Sequence, residues 1–299
     1  MNIDKLYENV KNKGHVCLGL DTCIDYIPAK EIKKARNDSE AALSFNKSLI
    51  DSTYDIAACY KVQIAYYEEM GVDGLKIYSD TLKYIKSKGC LAIADIKRSD
   101  IADTAFRYAK AHYSGDFEAD FVTLNPYLGM DSLEPWIKMA RNSGGKGAFV
   151  LMRTSNPGMK DFEYLELNAD PPEKKRLYNE VGKRMSRLAD EYKGSSGYGM
   201  FGVVIGCTEK DEAAEIRKTH SDLFFLIPGY GAQGGGAAEA ALLLRNGNGG
   251  VVNASRSIIT AWRNQDLNGG ADNAFAAMAA REAAIKMRDD IRKAINEFK

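Results

Sequence analysis

Short apolar runs alternate with amphipathic, charge-rich stretches along the whole chain. Eight runs stand out: 15–21 (HVCLGLD), 57–63 (AACYKVQ), 90–97 (CLAIADIK), 119–125 (ADFVTLN), 147–153 (GAFVLMR), 200–206 (MFGVVIG), 223–228 (LFFLIP) and 250–256 (GVVNASR). They are nearly continuous in apolar character rather than alternating, as expected of parallel strands covered on both faces. Between them the spacing predicts helices near 39–54, 74–87, 99–113, 130–142, 173–193, 209–219 and 234–246, and a last Ala- and charge-rich helix over about 271–297. Strands and helices in strict alternation predict an α/β chain folded as a (β/α)₈ TIM barrel, with a doubly wound open sheet as the alternative.

The length of 299 residues suits one barrel, and no low-complexity linker or internal repeat divides it, so 1–299 reads as a single domain. The polar, Pro-containing stretch 156–175 (NPGMKDFEYLELNADPPEKK) is longer than most strand-to-helix loops. It makes the region around 156–198 an extension, either a lid or a surface excursion. Lys+Arg 41 against Asp+Glu 41 leaves no basic excess to attract nucleic acid or an anionic membrane. The five cysteines are scattered without a C-x-x-C pair, and the three histidines, His15, His112 and His220, lie far apart. No zinc site or secreted disulfide framework is expected, and no metal. The polar amino terminus, with no apolar segment of the signal-peptide kind, and reduced thiols point to a cytoplasmic protein.

In a barrel the chemistry collects at the carboxyl ends of the strands. Those ends carry Asp21, Lys61 with Gln63, Asp95 with Lys97, Arg153-Thr154-Ser155, Pro228-Gly229 and Ser255-Arg256; the fourth and sixth strands end more mildly, at Asn125 and Gly206-Cys207. Charges are costly inside a barrel unless paired. The stretch ADIKRSDIADT, 94–104, is the most informative. Asp95 and Lys97 are two apart on a strand and face the same way. Asp100 and Thr104 are expected at the start of the next helix, four apart on one face. Read blandly, this is an ion pair at a strand end and an acidic helix start. Lys61 on the adjacent strand adds a second cation beside Asp95 and favours a catalytic Lys–Asp–Lys–Asp array.

The stretch PGYGAQGGG, 228–236, formally matches G-x-G-x-x-G, but it lies on the seventh strand and the following strand ends in Arg256 rather than an acidic residue. That argues against a dinucleotide. Loops after strands seven and eight are the usual phosphate site of a barrel. Arg256 offers a bidentate partner for phosphate oxygens and Gln233 a neutral donor. A phosphate ester is the expected substrate class; a glycine-rich turn beside a surface arginine is the bland reading.

Asp95-x-Lys97-x-x-Asp100-Ile101-x-x-Thr104 resembles the D-x-K-x-x-D-I-x-x-T signature of the orotidine 5′-phosphate decarboxylase family. The resemblance extends to Gly19-Leu20-Asp21, Lys61, Thr154-Ser155-Asn156-Pro157-Gly158, Pro228-Gly229 with Gln233, and Arg256. The R-T-S-N-P-G form and the length resemble the longer bacterial second class. The resemblance implies a homodimeric barrel that converts orotidine 5′-monophosphate to UMP and CO₂ without a cofactor, closing de novo pyrimidine synthesis. Catalytic roles would fall to Lys97, Asp95, Lys61 and Asp100, with Lys97 protonating C6. Asp21 would bind a ribose hydroxyl, Asp100 and Thr104 would reach the ribose across the dimer, and Ile101 would be among the substrate-binding residues. Ser155 would hold the pyrimidine and Gln233 and Arg256 the phosphate, with Pro228 and Ser255 also binding substrate.

Sister enzymes share D-x-K-x-x-D, so a sugar-phosphate decarboxylase or a metal-dependent hexulose-phosphate synthase is the nearest rival. A Schiff-base aldolase requires a neutral lysine, whereas Asp95 and Asp100 beside Lys97 favour its ammonium. A catalytically inert phosphate sensor on the same scaffold would show no turnover.

Overall fold

The structure is a computed structural model and describes residues 1–167, 175–231, 234–266 and 269–298. Eight strands close into a parallel barrel: β1 (Val16–Gly19), β2 (Cys59–Gln63), β3 (Ala92–Arg98), β4 (Phe121–Leu124), β5 (Gly147–Arg153), β6 (Phe201–Ile205), β7 (Phe225–Ile227) and β8 (Gly250–Ala254). Neighbours follow chain order, and β8 pairs back onto β1 with Leu18 opposite Ala254. Each of the eight apolar runs holds one strand, β3 continuing one residue past its run to Arg98, so the barrel expected from the sequence is the barrel found.

Strand alternation divides the core into two layers. Cys17, Cys59, Ile93, Phe121, Phe149, Leu226 and Val251 pack together inside the barrel. Leu18, Tyr60, Ala94, Val122, Val150 and Val203 face outward into the layer shared with the helices. The helices Asp38–Thr53, Gly71–Ser87, Ala102–Ser114, Glu134–Asn142, Leu177–Glu191, Lys210–Thr219, Ala237–Leu242 and Asn273–Glu297 occupy the predicted intervals.

The amino-terminal helix Asn2–Lys13 was not expected. Its segment reads as polar, yet Ile3, Leu6 and Val10 share one face and join the inner apolar layer. The described residues of the extension after β5 hold secondary structure. It contains the short helix Met159–Phe162, an antiparallel pair of two-residue strands (Glu166–Leu167 with Lys175–Arg176) and the helix Leu177–Glu191. Glu163 ties it to the end of β5, accepting from the Thr154 N–H and hydroxyl, both at 2.8 Å. All five cysteines are free, and four are buried. Among the described residues, no helix is long and apolar enough to cross a membrane.

Candidate active site

Parallel pairing places Gln63 opposite Asp95 and Lys61 opposite Ile93, which brings the Lys61 side chain against the end of β3. Lys61 Nζ donates to Asp95 Oδ2 at 2.8 Å and to Asp21 Oδ1 at 3.2 Å. Lys97 Nζ donates to the other Asp95 oxygen at 2.6 Å. The Lys61 and Asp95 side chains are 6% and 7% exposed, whereas that of Lys97 is 47% exposed. The chain of charges therefore runs from a sealed ammonium, through a sealed carboxylate, to an ammonium at the open mouth.

Burial alone would raise the Asp95 pKa, but the two ammonium groups outweigh it and hold the carboxyl well below the usual range. Burial likewise works against the Lys61 ammonium, and Asp21 and Asp95 overcome it, leaving its pKa above the ordinary lysine value. Both groups are thus fixed in their charged forms. The Asp21 segment is itself pinned from behind. Thr22 donates to Asn46 Oδ1 at 2.6 Å, Asn46 donates to the Tyr67 hydroxyl at 2.9 Å, and that hydroxyl donates to the Leu20 carbonyl at 3.0 Å.

β3 is not regular here. Ala94 pairs with Val122 but Arg98 with Leu124, so β3 advances four residues while β4 advances two. Lys97 takes up a left-handed conformation, with φ 45°. At the centre of this slip the Thr123 hydroxyl contacts the N–H groups of Ile96 and Lys97, both at 3.0 Å, and Asp95 Oδ1 at 2.8 Å. Thr123 escaped the sequence reading. Its only signal is a polar residue two positions after the inward-facing Phe121, inside an otherwise apolar run.

Asp100 corrects an expectation. The next helix starts at Ala102 with Ile101 at its N-cap, so Asp100 lies ahead of the helix and does not share a helical face with Thr104. Its carboxylate accepts from the Ile101 N–H at 2.9 Å, and among the described residues it makes no ion pair. Ile101 is 54% exposed. Thr104 is exposed as well. Within one chain, Ile101 and Thr104 are exposed, whereas Asp100 is half-buried.

Asp21, Pro228, Ser255 and Arg256 line one cavity of about 270 Å³ together with Tyr26, Tyr66, Tyr230 and Asn253. Arg256 is not on β8 but opens the four-residue helix Arg256–Ile259 after it, with Ser255 at the N-cap. Gly229, Gly231 and Gly234 all have positive φ, the reason this loop is glycine-rich. The loop folds on itself. The N–H groups of Gly231 and Gly235 are taken by the carbonyls of Gly235 and Gly229, and that of Gly236 by Glu239. Those three N–H groups are therefore already used within the turn. Gln233 lies outside the described residues.

Ser155 borders a separate cleft with Asn156, Pro157, Met159, Lys160, Thr208 and Glu209. Gly206 lies hard against it, since a Cβ there would sit 2.8 Å from Ser155 Cα. A larger, apolar cavity of about 580 Å³ lies between Asn125–Met130 and the helix Leu177–Glu191 and contains none of the predicted site residues. The buried charges lie away from this larger cavity. Asn253, Tyr26 and Tyr66 were missed by the sequence reading. Asn253 has a signal of the same kind as Thr123, a polar residue two positions after the inward-facing Val251.

Two lysines held on one buried carboxylate at the carboxyl mouth of a closed parallel barrel are the arrangement of a barrel enzyme. The chain matches the orotidine 5′-phosphate decarboxylase / HUMPS family over residues 14–265. It is 50% identical over 295 residues to an orotidine 5′-phosphate decarboxylase of Clostridium kluyveri, covering 98% of each chain. It is 51% identical over 295 residues to one of Clostridium perfringens, covering 99% of each. A solved OMP decarboxylase of Leishmania donovani superposes with a TM-score of 0.74 at 28% identity, over 98% of both chains. The chain belongs to the orotidine 5′-phosphate decarboxylase family.

Proposed function

We propose that this chain decarboxylates orotidine 5′-monophosphate to UMP and CO₂, the last step of de novo pyrimidine synthesis, with Lys97 as the proton donor to C6. The observation that carries this reading is the Lys61–Asp95–Lys97 chain, in which the outer ammonium is held at 2.6 Å by a carboxylate yet is half open to the mouth. An ammonium so placed stabilises a developing carbanion at C6 and then protonates it, with no cofactor required. Asp95 faces the departing carboxylate. Lys61 holds Asp95 and, with Asp21, takes the ribose hydroxyls.

Arg256, Gln233, Ser255 and Pro228 form the phosphate end, and Ser155 reads the pyrimidine. Asp100, with the exposed Ile101 and Thr104, reaches the ribose of the substrate bound by the partner subunit in a homodimer. The enzyme acts in the cytoplasm as a single domain over 1–299, with the region around 156–198 as an extension of the barrel.

The test is an assay in EDTA that follows the ultraviolet absorbance change of orotidine 5′-monophosphate. Conversion to UMP is expected. Failure of folded protein to convert it, with turnover of a sugar phosphate on adding magnesium, would transfer the reading to the hexulose-phosphate synthases.

A further inference from the structure

We propose that Thr123 is a positioning residue for this reaction: its hydroxyl fixes at once the Asp95 carboxylate and the backbone of Lys97. This rests on the decarboxylase reading above. Thr123 is 1% exposed, on β4, and does not line the cavity that holds Arg256. A threonine hydroxyl has one hydrogen to donate and two lone pairs with which to accept. Here the N–H groups of Ile96 and Lys97 approach it at 3.0 Å each and fill both lone pairs. The hydrogen is left for Asp95 Oδ1, 2.8 Å away. All three capacities of the group are therefore in use, and the direction of the bond to Asp95 follows from the count.

The arrangement matters because of what shares those atoms. Asp95 Oδ1 is the oxygen that also accepts from Lys97 Nζ at 2.6 Å. The Lys97 N–H belongs to the residue whose φ is 45°, a conformation that a side-chain-bearing residue keeps only when its surroundings enforce it. The slip of β3 past β4 places two N–H groups at this point of the ladder, and Thr123 takes both. One hydroxyl thus sets the backbone from which the Lys97 side chain leaves and the carboxylate on which its ammonium lands. Valine has the same shape but would leave the N–H groups of Ile96 and Lys97 without this acceptor and Asp95 Oδ1 with Lys97 Nζ in place of two donors.

The experiment compares kcat, KM for orotidine 5′-monophosphate and thermal midpoint for native protein, Thr123→Val, Thr123→Ala and Thr123→Ser. Misplacing reacting groups by an ångström costs about 100-fold in rate, so Thr123→Val and Thr123→Ala are expected to lose about that factor in kcat. KM should stay within about threefold, because the groups that bind substrate in the ground state are untouched. Thr123→Ser keeps the hydroxyl and is expected to restore kcat to within about threefold of native. A role confined to packing predicts the opposite order, with valine the mildest change.

The proposal is overturned if Thr123→Val or Thr123→Ala turns over at nearly the native rate, or if serine loses as much as alanine. Should valine prevent folding, the serine and alanine proteins decide between them. If native protein itself fails to turn over this substrate, the decarboxylase reading falls, and the role of Thr123 with it.

Discussion

Gly19 and Ser255 lie so close across the β1–β8 seam that a Cβ built on Gly19 would sit 1.9 Å from Ser255 Oγ. Rotating the serine would not relieve the contact, since its own Cβ would be only 2.8 Å away. Ser255 in turn lines the cavity that holds Arg256. Gly19→Ala is therefore expected to push the seam apart beneath the proposed phosphate end. The expected outcome is a destabilisation of about 1–3 kcal/mol, as for other overpacked sites, with a raised KM for orotidine 5′-monophosphate. Denaturant unfolding and steady-state kinetics check both, and an unchanged KM would show that the seam does not shape the site.

Lys97→Ala is expected to lower kcat by at least about 10³-fold, the combined scale of a lost general acid and a lost preset charge. Folding should survive, because the side chain is half exposed and Asp95 keeps Lys61 and Thr123 as partners. UMP binding by calorimetry should remain close to native. A variant that keeps near-native kcat would remove Lys97 from the chemistry.

Arg256→Ala is expected to act through the phosphate. Losing charge-assisted hydrogen bonds should raise KM for orotidine 5′-monophosphate by about 10- to 100-fold. Phosphate-free orotidine is the control. Equal loss on both substrates would show that Arg256 supports the loop and not the phosphate.

Acid should destabilise the protein through its histidines. Burial pushes both His15 and His112 down to about 4, and it lowers His220 as well. Between their folded values and the ordinary value near 6.5, the unfolded chain binds more protons than the folded one, so stability falls as pH falls through that window. His15 and His112 each account for a loss on the order of 3 kcal/mol across it. Asp95 contributes nothing to this loss. Its folded pKa is depressed, so its share of stability is present above the ordinary carboxylate range and disappears only on further acidification. Unfolding free energy measured from pH 7 to 4.5 should decline, and His15→Gln, which keeps a donor for the Gly247 carbonyl, should make the decline shallower. A flat profile would contradict the burial of neutral imidazoles.

The barrel was legible because strands buried on both faces leave runs too apolar to be anything else, and eight of them recur between helical stretches. Asp21, Lys61, Asp95 and Lys97 were legible because charges at the ends of such runs are anomalous. Thr123 was not, since one hydroxyl in an apolar run looks like a tolerated core residue until its neighbours are known. Asp100 was drawn into the helix by the usual preference for acidic residues at helix starts, whereas here Ile101 takes the N-cap. The glycines at 229, 231 and 234 stand out in the sequence, and in the structure each has positive φ in a turn where the N–H groups of Gly231 and Gly235 bond the carbonyls of Gly235 and Gly229. The amino-terminal helix was missed because a stripe of three apolar residues is faint against its charges.

The slip between β3 and β4 also determines what can be transplanted. Side-chain direction alternates along a strand, so inserting or deleting one residue between Ala94 and Arg98 would turn one member of the Asp95–Lys97 pair from the lumen to the helices. Moving the D-x-K-x-x-D string onto another barrel would carry the letters and leave behind the offset that aims them. The portable unit is a two-strand cassette, β3 together with the one residue of β4 that absorbs its surplus length.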